Sequence, residues 1–365
     1  MKSLIKKAVD WYFRRKSPAI TLVKYGVALI VAAAAGWVLS VTIPSEYGNF
    51  QFSLSGEGNL PSLVAYISFF LGVALVLIGV AWEILRYRNE QLALSRNNII
   101  VVEVRGLRDV GGTSLADSVS SVYKGKQRSI FVDLCQNVID GEIINPKSSL
   151  NKLTAITHQV DQITSGVDRS DITMVYGGLA PVPFSFLTGV LLDDESRIET
   201  FDWDRNIGHW RNLSESDDNK RFGSNIIEGS IVPGEPEIIL AISVSYKVNI
   251  DSVRNQFSGL PIVHMELQDG DFDSHWSEEK QAELGKQFLA KLAEIEAFGV
   301  KKIHIFVAAP NSLVFRFGKL YDKRNMPEVV VYQYKRGGIP EYPWGVIMPV
   351  SNIAEPALVS FGREC

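Results

Sequence analysis

Two Ala-Pro pairs lie where a phosphate group could bind. Ala180-Pro181 follows a strand-like run at residues 172–176, Ala309-Pro310 follows another at 303–307, and a helix-like run comes after each pair. A helix N-terminus presents backbone N–H groups without intrahelical partners and the positive end of the helix dipole, both of which favour phosphate. One such turn alone is ordinary loop geometry. The pair of turns predicts a site for a ligand with several phosphates.

Other side chains could complete such a site. Trp203 and Tyr332 end strand-like runs and could stack on bases, although an aromatic residue on a strand is more often part of the core. Lys247 and Arg316 could pair with phosphate, and a solvated surface explains them equally well. Gly177 and Gly178 would let a ligand approach the backbone. The predicted ligand-binding residues are Tyr176, Gly177, Gly178, Pro181, Phe184, Trp203, Lys247, Pro310, Asn311, Ser312, Arg316 and Tyr332.

Catalytic motifs are missing from the sequence. It contains no G-x-x-x-x-G-K-[ST], no G-x-S-x-G and no H-E-x-x-H. The five histidines are scattered, and none pairs with a cysteine or a second histidine at metal-ligand spacing. We therefore predict a binding module without catalytic residues, metal or cofactor. A membrane-anchored nucleotide-processing enzyme and a constitutive channel or structural membrane protein remain as alternatives.

The elements that would position these residues alternate between strand and helix. Strand-like runs at 99–104, 130–134, 172–176 and 198–203 are followed by a second series at 238–244, 262–267, 303–307 and 329–334. Helical stripes lie between them, one from Leu150 to Ile163 and one that begins after a Ser277 cap and ends at Gly299. This alternation predicts an α/β fold with parallel sheets.

The two series align with a fixed offset of 129 residues. Ala180-Pro181 falls on Ala309-Pro310, Phe186 on Phe315, Gly189 on Gly318, and Trp203 on Tyr332. We interpret this as an internal duplication of a Rossmann-like unit, while noting that any two βαβ segments can be aligned over a dozen residues.

Two uncharged runs precede the duplicated part. Residues 25–43 and 60–82 carry no charged side chain, and about 20 apolar residues cross a bilayer as a helix. Basic residues lie before the first run and after the second, whereas the loop between them has none. The positive-inside rule therefore predicts a two-pass hairpin with both termini in the cytoplasm. A signal peptide fits less well, because a second span follows.

Small residues recur along the predicted spans. In lipid, such residues let helix backbones approach, so they could pack two chains together or only the two helices of one chain. The predicted packing residues are Ala28, Ala32, Gly36, Ser40, Ser68 and Gly72.

Charge limits the possible partners. The chain has 37 Lys and Arg against 41 Asp and Glu. Basic residues outnumber acidic ones in the segments beside the spans, so the rest of the chain is acidic. An acidic domain argues against binding long nucleic acid, which needs a broad basic face. Cys135 and Cys365 would both face the reducing cytoplasm, so no disulfide is expected.

The sequence resembles the SAVED family of sensor domains, built as two fused CARF-like Rossmann units. The resemblance lies in residues 176–184, 191–195 and 202–205, and more loosely in 303–310 and 329–334. With the hairpin in front, the chain is similar to the transmembrane SAVED effectors of CBASS, the cyclic-oligonucleotide antiphage systems of bacteria.

The resemblance implies a mechanism. A cyclic di- or trinucleotide made on phage infection would bind the SAVED domain, the protein would self-associate, and its spans would disrupt the bacterial inner membrane and kill the cell. The predicted segments are a basic stretch (1–19), a first span (20–43), an external loop (44–59), a second span (60–85), a connector (86–98), two CARF-like halves (99–235 and 236–350) and a tail (351–365).

Overall fold

The protein folds as two compact units, Met1–Ser95 and Arg96–Cys365, which we call the N-terminal and C-terminal units. The structure is a computed structural model. It describes residues 18–34, 39–45, 48–54, 59–106, 113–135, 138–139, 142–193, 197–228, 233–268, 273, 275–350 and 355–361.

The N-terminal unit contains two helices joined by a β-hairpin. Its elements are α1 (Pro18–Ala34), β1 (Leu39–Ser45), β2 (Gly48–Leu54) and α2 (Asn59–Arg96), with β1 and β2 antiparallel. The first helix therefore ends earlier than the predicted span of 20–43, and Ser40 lies in a strand. The run Val41-Thr42-Ile43 followed by Pro44 explains the difference, because β-branched residues favour strand and proline cannot continue a helix. The second helix runs on to Arg96, through most of the predicted connector.

Glycines bring α1 and α2 into close contact. A Cβ added at Gly26 would lie 2.7 Å from the Gly72 carbonyl oxygen, and one at Gly79 would lie 2.8 Å from the Ala19 carbonyl oxygen. Of the predicted packing residues, Gly72 lies at this contact, Ala28 is exposed, Ala32 and Ser68 are half-buried, and Gly36 lies outside the described residues. Within the described part, α2 is the one helix long and apolar enough to cross a membrane by length and composition alone.

The first half of the C-terminal unit is a five-stranded sheet with helices. Its strand order is β4-β3-β7-β8-β9, in which β9 alone runs antiparallel to its neighbour. The elements are β3 (Asn98–Arg105), α3 (Leu115–Val122), β4 (Lys126–Asp133), β5 (Val138–Ile139), β6 (Glu142–Ile143), α4 (Pro146–Thr164), β7 (Ile172–Leu179), α5 (Val182–Leu191), β8 (Ile198–Asp204) and β9 (His209–Asn212).

The second half repeats this order in a seven-stranded sheet. Its order is β10-β12-β11-β13-β14-β15-β16, whose inner five strands match the first sheet position by position. The elements are β10 (Phe222–Glu228), β11 (Glu237–Ser243), α6 (Ile250–Gln256), β12 (Ile262–Leu267), α7 (Glu278–Ala297), β13 (Lys302–Ala308), α8 (Asn311–Leu320), β14 (Glu328–Gln333), β15 (Trp344–Ile347) and β16 (Ala357–Ser360).

The shared strand order confirms the predicted pair of fused Rossmann-like units. The boundaries differ from those predicted. Strand β10 precedes residue 236 and β16 lies in the predicted tail, yet both belong to the second sheet. Strand β10 pairs with β12, and β16 pairs with β15, so hydrogen bonding assigns both edge strands to the second sheet.

The two halves pack through α5 and α8, which occupy equivalent places 129 residues apart. A Cβ added at Gly189 in α5 would lie 2.2 Å from the carbonyl oxygen of Phe315, and one at Gly318 in α8 would lie 1.9 Å from that of Phe186. The contacts are reciprocal, as a pseudo-two-fold axis between the halves requires. One hydrophobic cluster, with Ile100, Met174, Phe186, Phe288 and Phe315 among its members, spans both halves.

Local sequence signals explain the long helices. Asn145 caps α4 by accepting a hydrogen bond from the Ser148 N–H (3.0 Å), and Ser277 caps α7 through the Lys280 N–H (3.2 Å). Gly299 follows α7 with φ +83°, the left-handed conformation that ends many helices.

Candidate functional site

A cavity of about 750 Å³ lies at the carboxyl ends of strands from both halves. This is the edge at which open α/β sheets bind ligands, and the volume falls in the range of small-molecule sites. The first half contributes Leu179, Val182, Asp202, Trp203 and Arg205, and the second contributes Ser245, Tyr246, Lys247, Val248, Asn249, Asp273, His275, Trp276, Val307, Ala308, Ala309, Pro310, Asn311, Gln333, Tyr334, Arg336 and Tyr342.

Each half caps a helix of the other half beside this cavity. Asp202, in β8, accepts a hydrogen bond at Oδ2 from the Ser312 N–H in the first turn of α8 (3.1 Å). Gln333, at the end of β14, accepts one at Oε1 from the Val182 N–H at the start of α5 (3.0 Å). The residues before the two helices are Pro181 and Pro310, whose side chains cannot cap.

The predicted phosphate-binding N–H groups are therefore already occupied at these two positions. Because neither proline can satisfy the first turn, the backbone groups take acceptors that are distant in sequence. A phosphate at the N-terminus of α8 would have to displace the Asp202 carboxylate. The two negative charges would also repel each other. The N–H groups of Val182 and Ser312 are thus not free to bind an anion.

Polar contacts fix the floor of the cavity. Asp202 Oδ1 accepts a hydrogen bond from the Trp203 N–H (2.7 Å), and His275 Nε2 lies 3.7 Å from Asp202 Oδ2. Asn311 Oδ1 accepts from the Ala180 N–H (3.3 Å) and from the hydroxyl of Ser185. The contacts of His275 with Asp202 and of Asn311 with Ala180 and Ser185 join the two halves beside the cavity.

The strand register changes the residue that corresponds to Trp203. Tyr176 in β7 pairs with Thr200 in β8, and Ile305, its equivalent at offset 129, pairs with Val331 in β14. The offset is therefore 131 in the second strand, and Trp203 corresponds to Tyr334 rather than Tyr332. Between the helix, α5 or α8, and the paired strand position, the second half is thus two residues longer than the first.

Tyr332 accordingly points away from the cavity. Its side chain is 2% exposed, its ring stacks on Phe306 (centroids 4.9 Å apart), and its hydroxyl lies 2.8 Å from His304 Nδ1. Successive side chains of a strand point to opposite faces of the sheet, so Tyr332 and Gln333 lie on different faces. The face with Tyr332 is covered by a second hydrophobic cluster.

Aromatic rings form much of the cavity wall. Trp203 contacts Trp210 edge to face at 5.5 Å between centroids, and Tyr334 contacts Tyr342 at 5.6 Å. Burial raises the pKa of Tyr342, so this phenol stays protonated at neutral pH.

The cations around the cavity differ in their partners. Lys247 Nζ lies 2.8 Å from Glu266 Oε1, and this hydrogen bond raises the pKa of the amine and lowers that of the carboxyl. Because Lys247 is 82% exposed, the ion pair contributes little stability and a phosphate could replace Glu266. Arg205 and Arg336 make no ion pair or side-chain hydrogen bond with any described residue. Arg316 does not line the cavity, since its guanidinium pairs with Glu278.

Three other predicted residues lie inside β7, away from the cavity. Tyr176 is fully buried and stacks on Phe315 with ring centroids 3.7 Å apart. A Cβ added at Gly178 would lie 2.1 Å from the Tyr176 hydroxyl oxygen, and one at Gly177 would lie 2.9 Å from Leu115 Cδ2. In the structure these glycines make room for neighbouring side chains rather than for a ligand.

The helix starts show the same pattern. Pro181 is buried, Phe184 packs against Trp344 in the core, and the hydroxyl of Ser312 accepts a hydrogen bond from Gln281 Nε2 (2.8 Å). Of the predicted ligand-binding residues, the structure brings Trp203, Lys247, Pro310 and Asn311 to the cavity.

Sequence reasoning missed several residues of the cavity. Arg205, Tyr334 and Arg336 could have been found from the second half of the alignment if the offset of 131 had been recognised. His275 and Trp276 carry no such signal, because the residues 131 positions earlier, Ile144 and Asn145, are neither histidine nor aromatic. Among the described residues, no group of three or more His, Cys, Asp or Glu side chains is placed to hold a metal ion.

Two family models match the sequence. The SAVED model, for the SMODS-associated and fused to various effectors sensor domain, matches residues 156–348, more than half of the chain. The Saf_2TM model, for the SAVED-fused 2TM effector domain, matches residues 1–150, which include the N-terminal unit and strands β3 to β6 of the C-terminal one. No curated protein matches.

Solved structures of a distant receptor also match. The Cap4 SAVED/CARF-domain containing receptor of Acinetobacter baumannii with the cyclic trinucleotide 2′3′3′-cAAA is 13% identical, with a TM-score of 0.46, and the match covers 79% of this chain and 59% of that one. The same receptor with 3′3′3′-cAAA is 14% identical, with the same TM-score and coverage. The chain thus spans less than two thirds of the receptor's length.

The family models settle the class of the protein. The Saf_2TM match makes the protein membrane-associated, and the SAVED match assigns the duplicated α/β unit to a sensor. The chain belongs to the SAVED family, as a SAVED sensor domain fused to a two-helix membrane effector domain.

Proposed function

We propose that this protein is an antiphage effector of the bacterial inner membrane, triggered by a cyclic oligonucleotide. Its C-terminal unit binds a cyclic di- or trinucleotide in the cavity between the halves. Binding makes the protein self-associate, and the assembled helices of the N-terminal unit disrupt the membrane and kill the infected cell.

The cavity carries this proposal. It combines aromatic rings, which stack on bases, with cations that suit phosphate: among the described residues, these cations have no carboxylate partner or only a weakly held one. Both halves of the duplication contribute, as a ligand with repeated units requires. The Cap4 receptor, a member of the same family by its printed name, was solved with two cyclic trinucleotides.

The N-terminal unit supports the second step. The helices α1 and α2 expose apolar side chains such as Tyr25, Phe70 and Leu77, which would face lipid. The distribution of Lys and Arg favours both termini in the cytoplasm, where the ligand would be made. Ligand-driven assembly would confine these helices to a small membrane patch, where weak helix contacts become populated.

Calorimetry with the full chain in detergent micelles tests the first step. We expect binding of at least one ligand from a panel of cyclic di- and trinucleotides that includes 2′3′3′-cAAA and 3′3′3′-cAAA. Because we propose binding without turnover, mass spectrometry should return the bound ligand intact. Lack of binding across the panel would contradict the proposal, and rapid cleavage would favour a nucleotide-processing enzyme.

A further inference from the structure

Two pairs of side chains occupy matching places around the cavity. The first pair, Trp203 and Arg205, lies at and just beyond the end of β8. The second pair, Tyr334 and Arg336, lies just beyond the end of β14. Both offsets are 131, the offset that the strand pairing fixes independently. The correspondence therefore follows from the fold. In each half, an aromatic residue is followed two positions later by an arginine.

The two arginines differ from the other cations near the cavity. Arg205 and Arg336 are exposed, and neither has an ion-pair or side-chain hydrogen-bond partner among the described residues. By contrast, Arg211 pairs with Asp204 (3.5 Å) and Glu215 (2.5 Å). A guanidinium that lines a cavity without a carboxylate partner is suited to bind an anion, and its planar set of donors matches phosphate.

The aromatic members also have surface left to cover. Tyr334 is 44% exposed and Trp203 is half-buried, although both rings border the cavity. Stacking of a base on such a ring stabilises single-stranded nucleic acid complexes and tolerates any base.

We propose that the two pairs form two equivalent nucleotide positions. In each position the aromatic ring stacks on a base and the guanidinium binds the adjoining phosphate. This inference rests on the proposed function and specifies its ligand, which must present at least two nucleotide units to the two halves. One mononucleotide molecule contacts only one of the two positions. It therefore lacks the gain in effective concentration that a covalently linked second unit provides.

Substitution of each arginine in the full chain tests the inference. The probes are 2′3′3′-cAAA, 3′3′3′-cAAA, cyclic di-AMP and AMP, titrated into the protein in detergent micelles. We expect Arg205→Ala and Arg336→Ala each to weaken binding of the cyclic probe by roughly tenfold to a hundredfold, the effect of one charge-assisted contact. Each should also reduce the slope of log Kd against log salt concentration by about 0.7.

Arg197→Ala is the matched control. Arg197 lies just before the amino end of β8, pairs with Glu199 (3.6 Å) and does not line the cavity, so its loss should leave affinity unchanged. Thermal unfolding checks that all three variants are folded, which the exposure of these side chains makes the expected result.

A second substitution separates stacking from loss of charge. Tyr334→Phe keeps the ring and should bind like the wild type, whereas Tyr334→Leu should lose roughly fivefold or more.

The outcomes distinguish the inference from the function on which it rests. If the wild type binds none of the cyclic probes, both fail. If the wild type binds a cyclic probe and either folded arginine variant binds it equally well, or AMP binds as tightly as the cyclic probe, the two-position inference alone is overturned.

Discussion

Gly318→Ala is expected to destabilise the C-terminal unit by roughly 3 kcal/mol or more, despite the better helix propensity of alanine. In an exposed helix this change would stabilise the fold by about 1 kcal/mol. Here the new Cβ would lie 1.9 Å from the backbone carbonyl oxygen of Phe186, which belongs to the facing helix and cannot rotate away. The helices α5 and α8 must separate, and the core shared by the two halves opens with them.

The reciprocal contact predicts a similar loss for Gly189→Ala, whose Cβ would lie 2.2 Å from the Phe315 carbonyl oxygen. Gly223→Ala is the control, since its nearest neighbour is the Gln268 side-chain nitrogen at an ordinary 3.4 Å. Thermal unfolding of the full chain, followed by near-UV circular dichroism, measures all three. Equal stability of the Gly318 and Gly223 variants would contradict this packing of the halves.

Gly178→Ala is expected to cost about 1–3 kcal/mol of stability through a different contact. The added Cβ would lie 2.1 Å from the Tyr176 hydroxyl oxygen and 2.8 Å from its Cζ, and stacking on Phe315 blocks the ring on one side. Removing the hydroxyl relieves the closer overlap, so Tyr176→Phe should restore part of the stability of Gly178→Ala. Chemical denaturation of the two single variants and the double variant measures this coupling.

The same experiment tests the hypothesis that Gly178 lets a ligand approach the backbone. Packing against Tyr176 predicts lower stability with unchanged affinity of the folded protein for whichever cyclic oligonucleotide binds the wild type. Unchanged stability with lower affinity would show that the glycine belongs to the binding site instead.

Local and periodic signals made most of the fold predictable from the sequence. Apolar runs located the parallel strands, Ser277 and Gly299 bounded α7, and the Ala-Pro turns marked the two equivalent helices. The end of α1 was missed, because apolar composition alone suits a helix in lipid as well as a strand of β-branched residues.

The site was harder to predict because it depends on register and on contacts distant in sequence. The offset between the halves changes from 129 to 131 between α8 and β14. The residue equivalent to Trp203 is therefore Tyr334 and not Tyr332. The caps supplied by Asp202 and Gln333 join residues 110 and 151 positions apart, and no local pattern reports them. Arg316 pairs with Glu278, whereas Arg336 lines the cavity. The sequence around the two arginines does not distinguish these environments.

Ligand-dependent leakage from vesicles shows directly whether ligand binding triggers membrane disruption. The full chain is reconstituted into liposomes that contain a self-quenched dye and are made from lipids of a bacterial inner membrane, and the cyclic oligonucleotide that binds in calorimetry is then added. We expect a tight membrane without ligand and rapid dye release with it, and we expect the double variant Arg205→Ala, Arg336→Ala to need far more ligand. Equal leakage with and without ligand, or an intact membrane when the ligand is fully bound, would contradict the claim that ligand binding triggers membrane disruption.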